Sequence, residues 1–155
     1  MMSLNAFDFR DLLASFPGRI IGIDVGERRT GLALSDLHRC IASPWQLVCH
    51  ASLKQGIISV ADFISKEDIA GMVIGWPVEM SGNIGAQCKK VQKFAETLSL
   101  QTSKSFFLWD ERLSTAAVAR TLKEVHLSRK KYATTIDKTT AAYLLQGALD
   151  YLNFI

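Results

Sequence analysis

The 155-residue sequence predicts an α/β fold, a mixed sheet of three antiparallel strands followed by two parallel ones, with helices on both faces. Three observations predict it. Apolar runs at 19–25 and 30–35 flank the polar turn GERRTG, the pattern of a hairpin. From residue 51 onward, helical and strand-like stretches alternate, as parallel strands joined by helical crossovers require. The run IAGMVIGW, residues 69–76, is apolar throughout, as in a strand buried on both faces.

Taken in order, residues 4–16 place Leu4, Phe7, Leu12, Leu13 and Phe16 at helical spacing until Pro17-Gly18 ends the pattern, which predicts a short docking helix. The hairpin strands follow. A third run, CIASPWQLVCH at 40–50, contains Pro44, and a proline in a strand favours an edge or a bulge. A helix is expected over 51–65 (Leu53, Ile57, Ile58, Ala61, Ile64), then the strand 69–76 and a helix over 84–98. The strand KSFFLWD at 104–110 leads to a helix over 114–125, a polar and basic loop over 126–136, and a last helix over 137–152. The chain divides into an N-terminal helical extension, 1–18, and a single domain, 19–155.

Composition excludes several classes. No apolar run reaches the roughly 20 residues needed to span a bilayer, and the N-terminus lacks a basic segment followed by an apolar stretch, so a cytoplasmic protein is expected. Cys40, Cys49 and Cys88 are too few and too scattered for a disulfide framework, and with His38, His50 and His126 they show no zinc-ligand spacing. A metal site here would be built from oxygen ligands. The formal net charge of +3 is compatible with an anionic partner.

Carboxylates stand where such a site needs them. In RIIGIDVGERRTGLALSD, strand alternation puts Ile21, Ile23 and Val25 on one face and Gly22, Asp24 and Gly26 on the other, leaving space around the acid. Asp24 can hydrogen-bond the following turn or meet a cation. A second strand exit, IGWPVEMSGNIG at 74–85, could approach a backbone or a phosphate closely. At a third, FLWDERLSTAAVA, Asp110 and Glu111 can favour the positive end of a helix that Ser114 could cap, or serve as ligands beside Arg112. Asp137 can cap the last helix through the amide of Thr139 or Thr140. It also continues the face formed by Ala141, Leu144, Ala148 and Tyr151, which points it towards the sheet. Three carboxylate positions from distant segments suit Mg²⁺ or Mn²⁺, and two such ions roughly 3.5–4 Å apart could hydrolyse a phosphodiester.

The motifs GIDVGERRTGLALSD, GWPVEMSGNIG, DERLSTAAVA and IDKTTAAYLLQGALDYL, in this order, resemble the YqgF/RuvX family of pre-16S rRNA nucleases, once described as Holliday junction resolvases. The resemblance covers about residues 19–153. It implies a ribonuclease H-like fold with a five-stranded sheet of order 3-2-1-4-5, counting strands from residue 19. It further implies that Asp24, Glu111 and Asp137 are the catalytic, metal-binding acids and that Arg29 and Arg112 contact phosphate or position the site. Trp76 and Glu79 stand where the family has a leucine and often an asparagine, and Thr140 replaces the first of two alanines. The leading helix is extra relative to a typical member.

Arg120, Lys123, Arg129, Lys130, Lys131 and Lys138 gather beside Asp137, and cations there would hold a phosphate backbone without reading bases. Tyr132 could stack on a base. Lys89, Lys90 and Lys93 form either an extension of this surface or a solvated helix face. The expected activity is metal-dependent hydrolysis of structured RNA, with the resemblance pointing to the 5′ end of pre-16S rRNA. A DNA four-way junction is the alternative substrate, and a non-catalytic nucleic-acid-binding module the alternative class. IGIDVGERRTG also resembles the first phosphate loop of actin-like ATPases and sugar kinases, which need two such domains, where this chain has length for one.

Overall fold

A computed structural model describes residues 3–78, 81–113 and 139–155 in full, and the backbone of 129–138. Six strands form one sheet: β1 (Ser3–Leu4), β2 (Arg19–Asp24), β3 (Arg29–Ser35), β4 (Ala42–Cys49), β5 (Ile69–Trp76) and β6 (Phe106–Asp110), in the order β1-β6-β5-β2-β3-β4. The last five stand in the expected order, with β2, β3 and β4 antiparallel and β2, β5 and β6 parallel. The sixth strand is a correction. Ser3 and Leu4 are extended and pair in parallel with Phe106 and Phe107, so the leading helix, α1 (Ala6–Ala14), begins later than its periodicity predicts. Asn5 fixes that start by accepting a hydrogen bond from the Asp8 amide at 2.9 Å.

Pro44 satisfies both expectations for a strand proline. It lies on the edge strand β4, and the register jumps from Leu32–Gln46 to Ala33–Pro44, so Trp45 bulges and meets Phe63 edge-on at 5.4 Å.

Helices α2 (Leu53–Ser65) and α3 (Ala86–Thr102) cover one face of the sheet, burying Ile57, Val60, Ile64, Val91, Phe94 and Leu98 against Ile21, Ile23, Met72 and Ile74. The other face carries α1 and the C-terminal helix α4 (Arg129–Phe154), packed on Ile20, Val73, Phe107 and Trp109. Glycines set how closely these helices approach. A Cβ on Gly22 would stand 2.7 Å from Leu145 Cβ, and one on Gly71 would stand 2.8 Å from the Phe9 ring.

The described span of α4 is Arg129–Phe154, so residues 129–136 of the expected 126–136 loop are helical. Arg129, Lys130, Lys131 and Ala133 are strong helix formers, and neither glycine nor proline interrupts the stretch. Asp137 therefore lies eight residues inside the helix, which removes its reading as an N-cap. The helix expected over 114–125 falls outside the described residues.

Candidate active site

The two faces of β2 explain the spacing around Asp24. Ile21, Ile23 and Val25 enter the core under α2 and α3, while Gly22 and Asp24 face α4. Asp24 is buried, closes β2 and pairs with Gly31 of β3. Gly26 keeps the following turn tight, because a Cβ there would collide with the Arg29 carbonyl oxygen.

Glu111 reaches the same region from another segment. It opens a short 3-10 turn, Glu111–Leu113, directly after β6. Its carboxylate lies over Gly75 of β5, where a Cβ would stand 2.5 Å from Glu111 Oε1 and 3.2 Å from Leu144 Cδ2. Gly75 is one residue past the Ile23–Ile74 pair of the β2–β5 ladder, level with Asp24 on the neighbouring strand. Both carboxylates thus stand on the α4 face, over strands about 4.8 Å apart.

α4 brings a third position to this level. Leu149 and Leu152 line a cavity with Ile20, and Leu145 and the Ala141 carbonyl lie over Gly22, so the helix runs antiparallel to β2. One further turn of helix, four residues, rises about 6 Å, close to the advance of two strand residues from Gly22 to Asp24. Position 137 is that turn. The side chain of Asp137 lies outside the described residues, as do those of Arg129, Lys130, Lys131 and Tyr132 in the same helix, and residue Glu79 lies outside them altogether. Among the described residues, no three His, Cys, Asp or Glu side chains form a metal-binding group.

The structure gives the two consecutive acids different surroundings, and the resemblance names Glu111 of the two. Asp110 is in register with Trp76 and is held by Arg112, whose Nε lies 3.1 Å from both carboxylate oxygens and whose Nη2 lies 2.7 Å from Oδ2. The Arg112 amide also donates to Oδ1 at 3.0 Å. This hydrogen-bonded guanidinium holds the Asp110 carboxyl below its usual range. Asp110 therefore ties down the turn that aims Glu111, a role the adjacency of D, E and R in the sequence hints at without assigning. Arg112 Nη1 faces Gly82 of the preceding loop. Arg29 opens β3 and is exposed, next to the turn that carries Gly26.

Gly75 is the residue that sequence reasoning missed. It stands in the strand exit VIGW, residues 73–76, but only the fold shows which side chain uses the space.

Residues 18–151 match the RuvX family, described as Holliday junction resolvase. A protein of Paramagnetospirillum magneticum named "Putative pre-16S rRNA nuclease" is 43% identical over 142 residues, 90% of this chain and 92% of its own length. One of the same name from Acidiphilium cryptum is 37% identical over 152 residues, 97% of this chain and 96% of its own. That match reaches into the α1 segment. Among solved structures, Thermus thermophilus RuvC in complex with a Holliday junction substrate superposes with a TM-score of 0.56 at 10% identity, covering 88% of this chain and 94% of that one. RuvC without the junction gives 0.53 at 10% identity over 88% and 95%. At that identity the likeness shows a shared fold.

Proposed function

The chain belongs to the RuvX family, and on that premise we propose that it is a metal-dependent nuclease that processes the 5′ end of pre-16S rRNA in the cytoplasm, with residues 19–155 as the nuclease domain. The observation that carries this reading is the placement of the Glu111 carboxylate over Gly75, beside Asp24 on the next strand. Carboxylate oxygens presented side by side from two segments are the donor type that a divalent cation takes. Oxygen donors from rigid strand ends suit Mg²⁺ or Mn²⁺.

Asp24, Glu111 and Asp137 would hold the ions, two of them as in other phosphodiester-cleaving centres. Such ions would supply activation of a water and stabilisation of the leaving oxygen. The protein's own part is positioning. Asp110 and Arg112 hold the turn that presents Glu111, and α4 shields the acids on the core side. Arg29, Arg129, Lys130 and Lys131 supply cations for the phosphate backbone, so binding weakens with salt and carries no base preference of its own.

The test incubates the full-length protein with a labelled pre-16S 5′ fragment and with a synthetic four-way DNA junction, in Mg²⁺, Mn²⁺ or Ca²⁺. Cleavage of the RNA is expected in Mg²⁺ or Mn²⁺. Asp24→Asn and Glu111→Gln should each lower it by about a hundredfold or more, the loss of several kcal/mol of transition-state stabilisation. Undiminished cleavage in both variants refutes the site, and cleavage of the junction alone changes the substrate to DNA.

A further inference from the structure

The end of β5 presents different chemistry on its two sides. Gly75 faces α4 and lies under Glu111, whereas the next residue, Trp76, packs part of its ring against the core beneath α3 and leaves the rest exposed. An open groove of about 470 Å³ begins there, lined by Trp76, Ile84, Lys89, Gln92, Lys93 and Glu96. Ile84 is 62% exposed and, with Trp76, gives the groove an apolar end.

Charge is graded along the groove. α3 starts at Ala86, on the side of the strand exits, so Lys89 and Lys93 occupy its first two turns and Glu96 lies farther away. Glu96 accepts a hydrogen bond from Gln92 at 2.6 Å. Of the three lysines, Lys90 is bound to Glu27 at 2.7 Å, while Lys89 and Lys93 form no ion pair among the described residues. Asp110, in register with Trp76 on the neighbouring strand, is paired with Arg112.

We infer that this groove binds an unpaired nucleotide of a single-stranded RNA, its base against Trp76 and Ile84 and its phosphates at Lys89 and Lys93. An indole with an aliphatic neighbour accepts the flat face of any base, and ammonium groups on flexible stems follow the backbone. A duplex keeps its bases stacked inside and cannot fill such a groove. The inference rests on the nuclease reading and adds to it: a nucleotide beside the scissile bond is drawn out of pairing and held on the far side of β5, which selects single-stranded ends or loops over continuous duplex.

Binding is measured by fluorescence anisotropy with a labelled single-stranded oligoribonucleotide, its DNA counterpart and a blunt RNA duplex of equal length. The full-length protein and variants of confirmed fold are compared. Trp76→Leu, which keeps the apolar packing, and Trp76→Ala should weaken single-strand binding on the order of tenfold, with Trp76→Phe close to the parent and duplex affinity unchanged. Lys89→Ala and Lys93→Ala should each reduce the slope of log affinity against log salt by about 0.7. Single-strand affinity within twofold of the parent in both Trp76→Leu and Trp76→Ala overturns the inference, as does equal weakening of duplex binding. Preference for DNA over RNA overturns the choice of ligand. The two readings fail separately: no cleavage of the pre-16S fragment by the parent in Mg²⁺ or Mn²⁺ refutes the nuclease reading, whereas parent-like single-strand affinity in the Trp76 variants refutes the groove.

Discussion

At the scale of single residues, glycines decide where the acids can stand. A methyl group at Gly75 would meet the far end of the Glu111 side chain, which can swing aside, and also Leu144. Gly75→Ala should therefore lower cleavage at least tenfold while shifting the thermal midpoint by only a few degrees, seen by parallel activity and melting measurements. Gly22→Ala makes the opposite split. Its Cβ would meet Leu145 Cβ and the Ala141 carbonyl, both fixed to α4, so a loss of about 1–3 kcal/mol in denaturant unfolding is expected. His50 carries a pH dependence of stability. It is buried against Gly56, its Nε2 lies 2.9 Å from Thr30 Oγ1, and burial lowers its pKa below the ordinary 6.5. The unfolded chain then binds the proton more readily. Stability is complete above about pH 6.5 and declines as pH falls towards the lowered folded value. Urea unfolding at pH 7 and pH 5 should show this decline, and His50→Gln should reduce it.

Among the elements, α1 belongs to the core as fully as any other helix. Phe9 is completely buried and stacks on Phe107 at 5.7 Å, so Phe9→Ala should cost about 3–5 kcal/mol by chemical denaturation. Arg39 pins the end of this segment by donating to the carbonyls of Leu13, Phe16 and Gly18. Apolar periodicity announced the helix but could not show the two residues of strand before it, because a parallel pair with Phe106 and Phe107 depends on a partner about a hundred positions away. The strands from 19 onward were legible almost to their ends, since alternation and β-branched runs are local signals. The start of α4 was not. A run of Arg, Lys and Lys reads as a solvated loop by charge and as helix by propensity, and propensity prevailed.

The whole molecule turns on convergence. Asp24 and Glu111 are 87 positions apart in sequence, yet the parallel β2–β5–β6 arrangement sets them over neighbouring strands, and the antiparallel course of α4 carries position 137 to the same level. The sequence placed acids at strand exits and on the helix face, and the family resemblance named Glu111 over Asp110; the grip of the Arg112 guanidinium on Asp110 is visible only in the fold. The basic start of α4 lies on the same helix, so electrostatic attraction of a phosphate backbone and its hydrolysis would be coupled in one molecule. Among the described residues no helix is long and apolar enough to cross a membrane. The most direct test of a shared cation site is a Mn²⁺ titration of the intact protein, following free Mn²⁺ by electron paramagnetic resonance. Binding by the parent, weakened at least tenfold in each of Asp24→Asn, Glu111→Gln and Asp137→Asn, is the expected result; parent-like binding in all three would contradict it.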